Sequence, residues 1–217
     1  MAVRETAPQR VGLLGGTFDP IHIGHLVLGE EAWGQLHLDR VVFIPAGLPP
    51  HKLEEPVLAA EHRAAMVQLA IEGNDRFILS EVELERPGPH YTVDTLKILG
   101  EQWGASTTIF LVLGMDSLEA ILSWHDPREL IRLSRLAVAR RSGFAVDLDQ
   151  LERDLPGIRD RLVFFDMPEV GIASTDLRRR VRESRSIRYQ VPRQVEKYIR
   201  AQGLYKELDR CVQPLCD

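Results

Sequence analysis

The chain has 217 residues, with 27 Lys and Arg against 32 Asp and Glu and a formal net charge of -5. That balance opposes a broad nucleic-acid-binding surface, and 44% hydrophobic with 27% charged residues excludes a disordered, collagenous or membrane-embedded chain. The length suits one α/β domain spanning residues 1–217, with 1–9 and 208–217 as loose tails, and no apolar stretch is long enough for a signal sequence or a membrane span, which points to the cytoplasm.

In chain order, the first apolar run is Val11 to Leu14, and it leads into GGTFDPIHIGH, residues 15–25. A strand, a glycine turn and a helix are expected there, with Leu26, Ala32, Trp33 and Leu36 on the helix. Gly15 and Gly16 let the backbone approach a bulky anion, and a helix N-terminus offers unpaired N–H groups and a positive dipole end. Thr17, Asp19 and a helix-starting Pro20 accompany them. If the helix begins near Ile21, His22 and His25 emerge on one face of its first turn.

Arg40 to Pro45 reads as a strand buried on both faces. The loop Ala46 to Glu55 follows, stiffened by Pro49-Pro50 and ending in Lys52, a base that either reaches a phosphate or is an ordinary exposed lysine. A helix is expected over Ala59 to Ile71, with Arg63, Met66, Val67 and Ala70 at helical spacing, then a short strand over Phe77 to Leu79. After the acidic, proline-rich Ser80 to Pro89, a helix over Tyr91 to Leu99 has Thr92 near its N-cap.

Thr107 to Leu113 is the most strand-like run and is expected at the sheet centre. Gly114 and Asp116 follow it at a carboxyl edge, where ligands collect in parallel sheets; Asp116 either accepts from ribose hydroxyls or caps a helix over Ser117 to Leu122. Trp124 comes next, its neighbours Ser123, His125 and Asp126 leaving part of it to face a cleft. A strand over Leu136 to Ala139 runs into Arg140-Arg141, and a helix over Asp147 to Leu155 precedes a strand over Leu162 to Phe165. In Ile172 to Arg178, IASTDLR, the hydroxyls of Ser174 and Thr175 meet the free N–H groups of a helix start, with Arg178 one turn on, making a second anion site. Seven arginines lie between Arg178 and Arg193, and the rest read as a solvated helical face. Cys211 and Cys216 are expected as free thiols on the tail, with a local bridge as the alternative. Alternating strands and helices predict an α/β fold: a single Rossmann-like, doubly wound parallel sheet with helices on both faces.

GGTFDPIHIGH resembles the (T/H)xGH signature of the nucleotidylyltransferase superfamily, which also contains the HIGH box of class I aminoacyl-tRNA synthetases. Further stretches are similar to bacterial nicotinate mononucleotide adenylyltransferases: PPHK at Pro49 to Lys52, RPGPHYTVDTL ending at Leu96, LGMDS at Leu113 to Ser117 with Trp124 after it, Arg140-Arg141, and IASTDLR. The likeness runs from about Val11 to Tyr205. It departs at Ala173 and His90, where the family usually has Ser. The resemblance implies adenylyl transfer from ATP to nicotinate mononucleotide. His22, His25 and Arg178 would then be the catalytic residues. Gly15, Gly16, Thr17, Phe18, Gly114, Asp116 and Arg140 would contact ATP beside the histidines, and Ser174, Thr175 and Arg178 would hold its leaving pyrophosphate end. Lys52, Tyr91, Thr92 and Trp124 would hold the mononucleotide.

Magnesium would be bound through substrate phosphates rather than by protein ligands. No nucleic acid or membrane partner is expected, and the sequence is compatible with a homo-oligomer. The rivals are a transferase using a pantetheine-phosphate or nicotinamide mononucleotide acceptor, and a non-catalytic nucleotide sensor. A class I synthetase is disfavoured, because the late motif has no KMSKS-like lysine pair.

Overall fold

Six apolar runs become strands: β1 (Arg10–Gly16), β2 (Arg40–Pro45), β3 (Phe77–Leu79), β4 (Thr108–Gly114), β5 (Arg135–Arg140) and β6 (Leu162–Asp166). A computed structural model describes residues 10–47, 57–140 and 146–206 and pairs these strands in the order β3-β2-β1-β4-β5-β6. β1 and β4 lie centrally because their side chains are apolar on both faces: Val11, Leu13 and Leu14 are buried in β1, and every residue from Ile109 to Leu113 in β4. The register sets Leu13 opposite Leu111 and Leu111 opposite Leu136, all parallel. The order steps outward from β1 to β3 and from β4 to β6, the doubly wound arrangement of a Rossmann-like α/β fold.

Eight α-helices are assigned among the described residues: α1 (Ile23–Leu36), α2 (Ala60–Ile71), α3 (Thr92–Trp103), α4 (Met115–Glu119), α5 (Pro127–Leu133), α6 (Leu148–Asp154), α7 (Ser174–Arg182) and α8 (Arg193–Ala201). α1 starts two residues later than the Ile21 of the sequence reading, and α3 runs on to Trp103. The expected helix over Ser117 to Leu122 is instead α4 followed by a 3-10 turn over Ile121–Ser123. The sequence reading had no α5, although its start carries clear local chemistry: Asp126 accepts from Glu129 N–H at 3.2 Å and Pro127 occupies the first turn.

Contacts divide the chain into two compact units. The first draws on residues 10–14, 28–42, 91–140 and 146–169, and the second on 15–27, 43–47, 57–90 and 170–206. In the first, Leu118, Ile121, Leu130 and Leu136 to Val138 are fully buried, with α3 packed on α5. In the second, Phe18, Ile21, Phe43, Met66, Leu177 and Val195 form the core, and α2 packs on α8, where His62 Nδ1 lies 2.8 Å from the Tyr198 hydroxyl. No described helix is long and apolar enough to cross a membrane.

Candidate active site

The turn after β1 is shaped by one aromatic residue. Phe18 takes a left-handed backbone conformation, φ 50°, which turns its ring inward until it is 2% exposed. A Cβ on Gly16 would stand 3.0 Å from that ring, so glycine lets the chain close over it. The buried ring then meets the His25 imidazole edge-on, with centroids 5.0 Å apart. Phe18 therefore faces the core beneath a histidine; any contact it makes with a ligand is through its backbone.

His22 immediately precedes α1, and its carbonyl accepts from His25 N–H at 3.0 Å, opening the helix. In return the His25 side chain reaches back: its Nδ1 accepts from the His22 backbone N–H at 3.2 Å, the bond that Glu makes in a capping box. That acceptor role fixes the neutral tautomer of His25 with its proton on Nε2. The two rings stack at 3.8 Å between centroids and 22° between planes. Burial pushes the His22 pKa down to about 4, and burial together with the adjacent His22 pushes that of His25 down to about 3. Both imidazoles are neutral at pH 7. His22 Nδ1 is buried with no hydrogen-bond partner among the described residues, which leaves it able to pair with a ligand atom.

The same unit brings the late motif to this turn. α7 begins at Ser174, whose hydroxyl donates to the Pro20 carbonyl at 2.9 Å rather than capping its own helix. One turn on, Arg178 Nη1 donates to the Asp19 carbonyl at 2.7 Å. Both residues thus grip the Asp19–Pro20 segment just ahead of the histidines. Thr175 beside them is exposed. From α2, Arg63 is 2% exposed and donates through Nη1 to the Thr17 carbonyl at 2.9 Å and through Nε to the Leu58 carbonyl at 2.8 Å. Read from sequence only as one of four residues at helical spacing, Arg63 props the glycine turn through these bonds. Tyr205, outside every motif, donates its hydroxyl to Asp19 Oδ1 at 2.6 Å. A charged residue at an apolar helical position was a legible signal for Arg63, whereas Tyr205 had none.

The remaining expected residues within the described chain belong to the first unit. Gly114 ends β4, and a Cβ there would stand 2.5 Å from Asp116 Oδ1, so the carboxylate folds back over a bare Cα. Gly114, not Asp116, occupies the N-cap of α4, which removes the capping alternative for Asp116. Tyr91 is the N-cap of α3, and Thr92 is its first residue. Tyr91 stacks on His125 at 4.1 Å between centroids, a partnership absent from the sequence reading, and Trp124 is half-buried next to it. Arg140 ends β5, lying over the Phe164 ring and 3.5 Å from Asp166. Lys52, the PPHK loop, Arg141 and both cysteines lie outside the described residues.

Two neutral imidazoles, a helix N-terminus and an arginine gathered on one glycine turn offer donors of the kind that can hold an anion. The family model described as Cytidylyltransferase-like matches residues 13–180. Proteins named probable nicotinate-nucleotide adenylyltransferase from Thermomicrobium roseum and Moorella thermoacetica are 47% and 42% identical over 201 and 205 residues, covering 93% of this chain and 94% of each relative. The chain belongs to the nicotinate-nucleotide adenylyltransferase family. Its fold is also that of the Plasmodium falciparum nicotinic acid mononucleotide adenylyltransferase solved with NaAD (TM-score 0.75, 19% identity, 91% of this chain and 97% of that one). A nicotinate-nucleotide adenylyltransferase structure from Vibrio parahaemolyticus gives a TM-score of 0.64 at 20% identity, with 92% and 96% coverage. Within this adenylyltransferase family chain, the matched span of 13–180 takes in both histidines, Ser174 and Arg178. Tyr205 falls beyond it.

Proposed function

We propose that the protein transfers the adenylyl group of ATP to nicotinate mononucleotide, giving nicotinate adenine dinucleotide and pyrophosphate in NAD biosynthesis, in the cytoplasm. A phosphate oxygen of the mononucleotide attacks the α phosphorus. The new oxygen–phosphorus bond forms as the bond from that phosphorus to the β-bridging oxygen breaks, and pyrophosphate leaves with the electron pair. The attacking phosphate is already ionised at neutral pH, so no general base is required, and catalysis consists of positioning and stabilising charge.

The observation that carries this reading is the stacked His22–His25 pair at the start of α1. Neutral and fixed in tautomer, His25 donates from Nε2 to a phosphate oxygen without taking up a proton, and neutral His22 adds its single ring N–H. Arg178, Thr175 and the backbone N–H of Ser174, whose hydroxyl is held by the Pro20 carbonyl, serve the leaving pyrophosphate end, and the backbone of the Gly15-Gly16 turn, open at Gly15, admits the polyphosphate. Asp116 takes the ribose hydroxyls, Arg140 a nucleotide phosphate, and Lys52 the mononucleotide. Thr92, at the N-terminus of the twelve-residue α3, faces the pyridine carboxylate, with Tyr91 and Trp124 as stacking surfaces.

Among the described residues no three His, Cys, Asp or Glu side chains are grouped to hold a metal ion, and the Asp19 carboxylate is already engaged by Tyr205 and Arg178. A magnesium ion carried by substrate phosphates would neutralise phosphate charge there. The test is pyrophosphate release with ATP and a panel of nicotinate mononucleotide, nicotinamide mononucleotide and 4′-phosphopantetheine. The acid mononucleotide is expected to lead the amide by roughly tenfold to a hundredfold in kcat/KM, because donors that pair with a carboxylate leave the NH2 of a carboxamide unpaired. Thr92→Val is expected to narrow that gap. Equal rates for acid and amide would remove the proposed selectivity, and no turnover with any acceptor would leave a nucleotide sensor.

A further inference from the structure

Asp19 is the one carboxylate in the GGTFDPIHIGH turn, and it is 3% exposed. Its Oδ1 accepts from the Tyr205 hydroxyl at 2.6 Å, its Oδ2 accepts from Leu58 N–H at 3.4 Å, and Oδ2 lies 3.8 Å from Arg178 Nη1. The same Nη1 donates to the Asp19 carbonyl at 2.7 Å, so one residue sets the position of the guanidinium through both its backbone and its side chain. Tyr205 reaches this point from beyond the end of α8 and holds a left-handed backbone, φ 64°, that is unfavourable for a non-glycine residue. Such a conformation persists only where surrounding contacts determine it. Burial, and after it the neighbouring Asp19, raise the phenol pKa, so the hydroxyl keeps its proton and donates at every working pH.

The geometry points to Tyr205 as a positioning residue for Arg178: by holding Oδ1 of Asp19, its hydroxyl fixes where the guanidinium meets the polyphosphate of the nucleotide. Without that donor, Oδ1 is a buried acceptor lacking its partner, on a carboxylate that interacts with the guanidinium groups of Arg178 and Arg63. Asp19 then turns toward Arg178 and competes with phosphate for its N–H groups. The role rests on the adenylyl-transfer reading for its catalytic consequence, while its effect on nucleotide binding stands apart from which acceptor is used.

Tyr205→Phe removes one oxygen and keeps the packing ring. With each substrate varied in turn, KM for ATP is expected to rise roughly tenfold while KM for the mononucleotide stays within about twofold. In an Arg178→Lys background, the same substitution is expected to change KM for ATP by less than about twofold, because the group it positions has gone. A purely structural role lowers kcat through loss of active protein, leaves both KM values alone and adds to Arg178→Lys; that pattern would overturn the assignment. Calorimetric titration of ATP without any acceptor separates this claim from the proposed reaction. A roughly tenfold weaker Kd in Tyr205→Phe supports the role even if nicotinate mononucleotide is not the acceptor, and an unchanged Kd overturns it even if the reaction is as proposed.

Discussion

His22 and His25 are both held neutral by burial, which strips hydration from an imidazolium; at His25 the stacked His22 ring, 3.8 Å away between centroids, adds to the effect. The folded-state pKa values, about 4 and about 3, lie below the ordinary 6.5, so between those limits the unfolded chain binds more protons. Stability contributed in this way is fully present above pH 6.5 and is lost as the pH falls from there toward 4, by roughly 3 kcal/mol for the buried His22 alone. Chemical denaturation of the wild type across pH 4 to 8 should show that slope, and His22→Ala should flatten it. Each histidine-to-alanine change should lower kcat about a hundredfold to a thousandfold, since each removes a donor aimed at developing charge. Pyrophosphate release measured above pH 7, where stability is unaffected, checks the catalytic half.

At the scale of the element, the first turn of α1 is built for the histidines at the expense of the helix. Gly24 costs an α-helix about 1 kcal/mol relative to alanine, and replacing a helical glycine ordinarily stabilises. Here an added Cβ would stand 3.0 Å from both Cε1 and Nδ1 of His22 and 3.5 Å from Val170, so the imidazole must move. Gly34 in the same helix has open space where its Cβ would lie. Gly34→Ala is therefore expected to raise stability by about 0.5–1 kcal/mol with normal turnover, whereas Gly24→Ala loses turnover at least tenfold with little or no gain in stability. Paired thermal melts and steady-state rates distinguish the two; equal activity in both variants would mean that the His22 ring position does not matter. Helix α7 makes a similar exchange: Ser174 stands in its first turn yet spends its hydroxyl on the Pro20 carbonyl, tying the late motif to the early one.

At the scale of the whole molecule, the proposed site would meet the charge of a polyphosphate with donors and arginine rather than with a cage of carboxylates. Among the described residues no metal-binding cluster is present, and Asp19 is turned inward on Tyr205. Chelation by EDTA should therefore abolish turnover while leaving the melting temperature within about a degree, and added magnesium should restore the rate in full, since a metal that binds only with substrate contributes nothing to the folding of the free protein. A fall in melting temperature on chelation would reveal a resident ion instead.

Local chemistry decided much of this protein before any long-range contact was considered. Continuous β-branched and aliphatic runs mark strands buried on both faces, as in Arg40–Pro45 and Thr108–Gly114, and glycine followed by a histidine pair marks an anion-binding turn, because strand burial and helix termini are properties of short segments. Asp126-Pro127 was equally local and was passed over between Trp124 and β5. What the sequence could not supply was everything fixed by residues distant in the chain. Ser174 and Pro20, Arg178 and Asp19, Asp19 and Tyr205, and Arg63 and Thr17 meet across separations that no periodicity encodes. Depressed histidine pKa values likewise come from burial, which only packing creates. Propensity and patterning act within a few residues, so they name the groups that can bind phosphate; the tertiary structure alone sets their protonation and the distant partners that hold them in place.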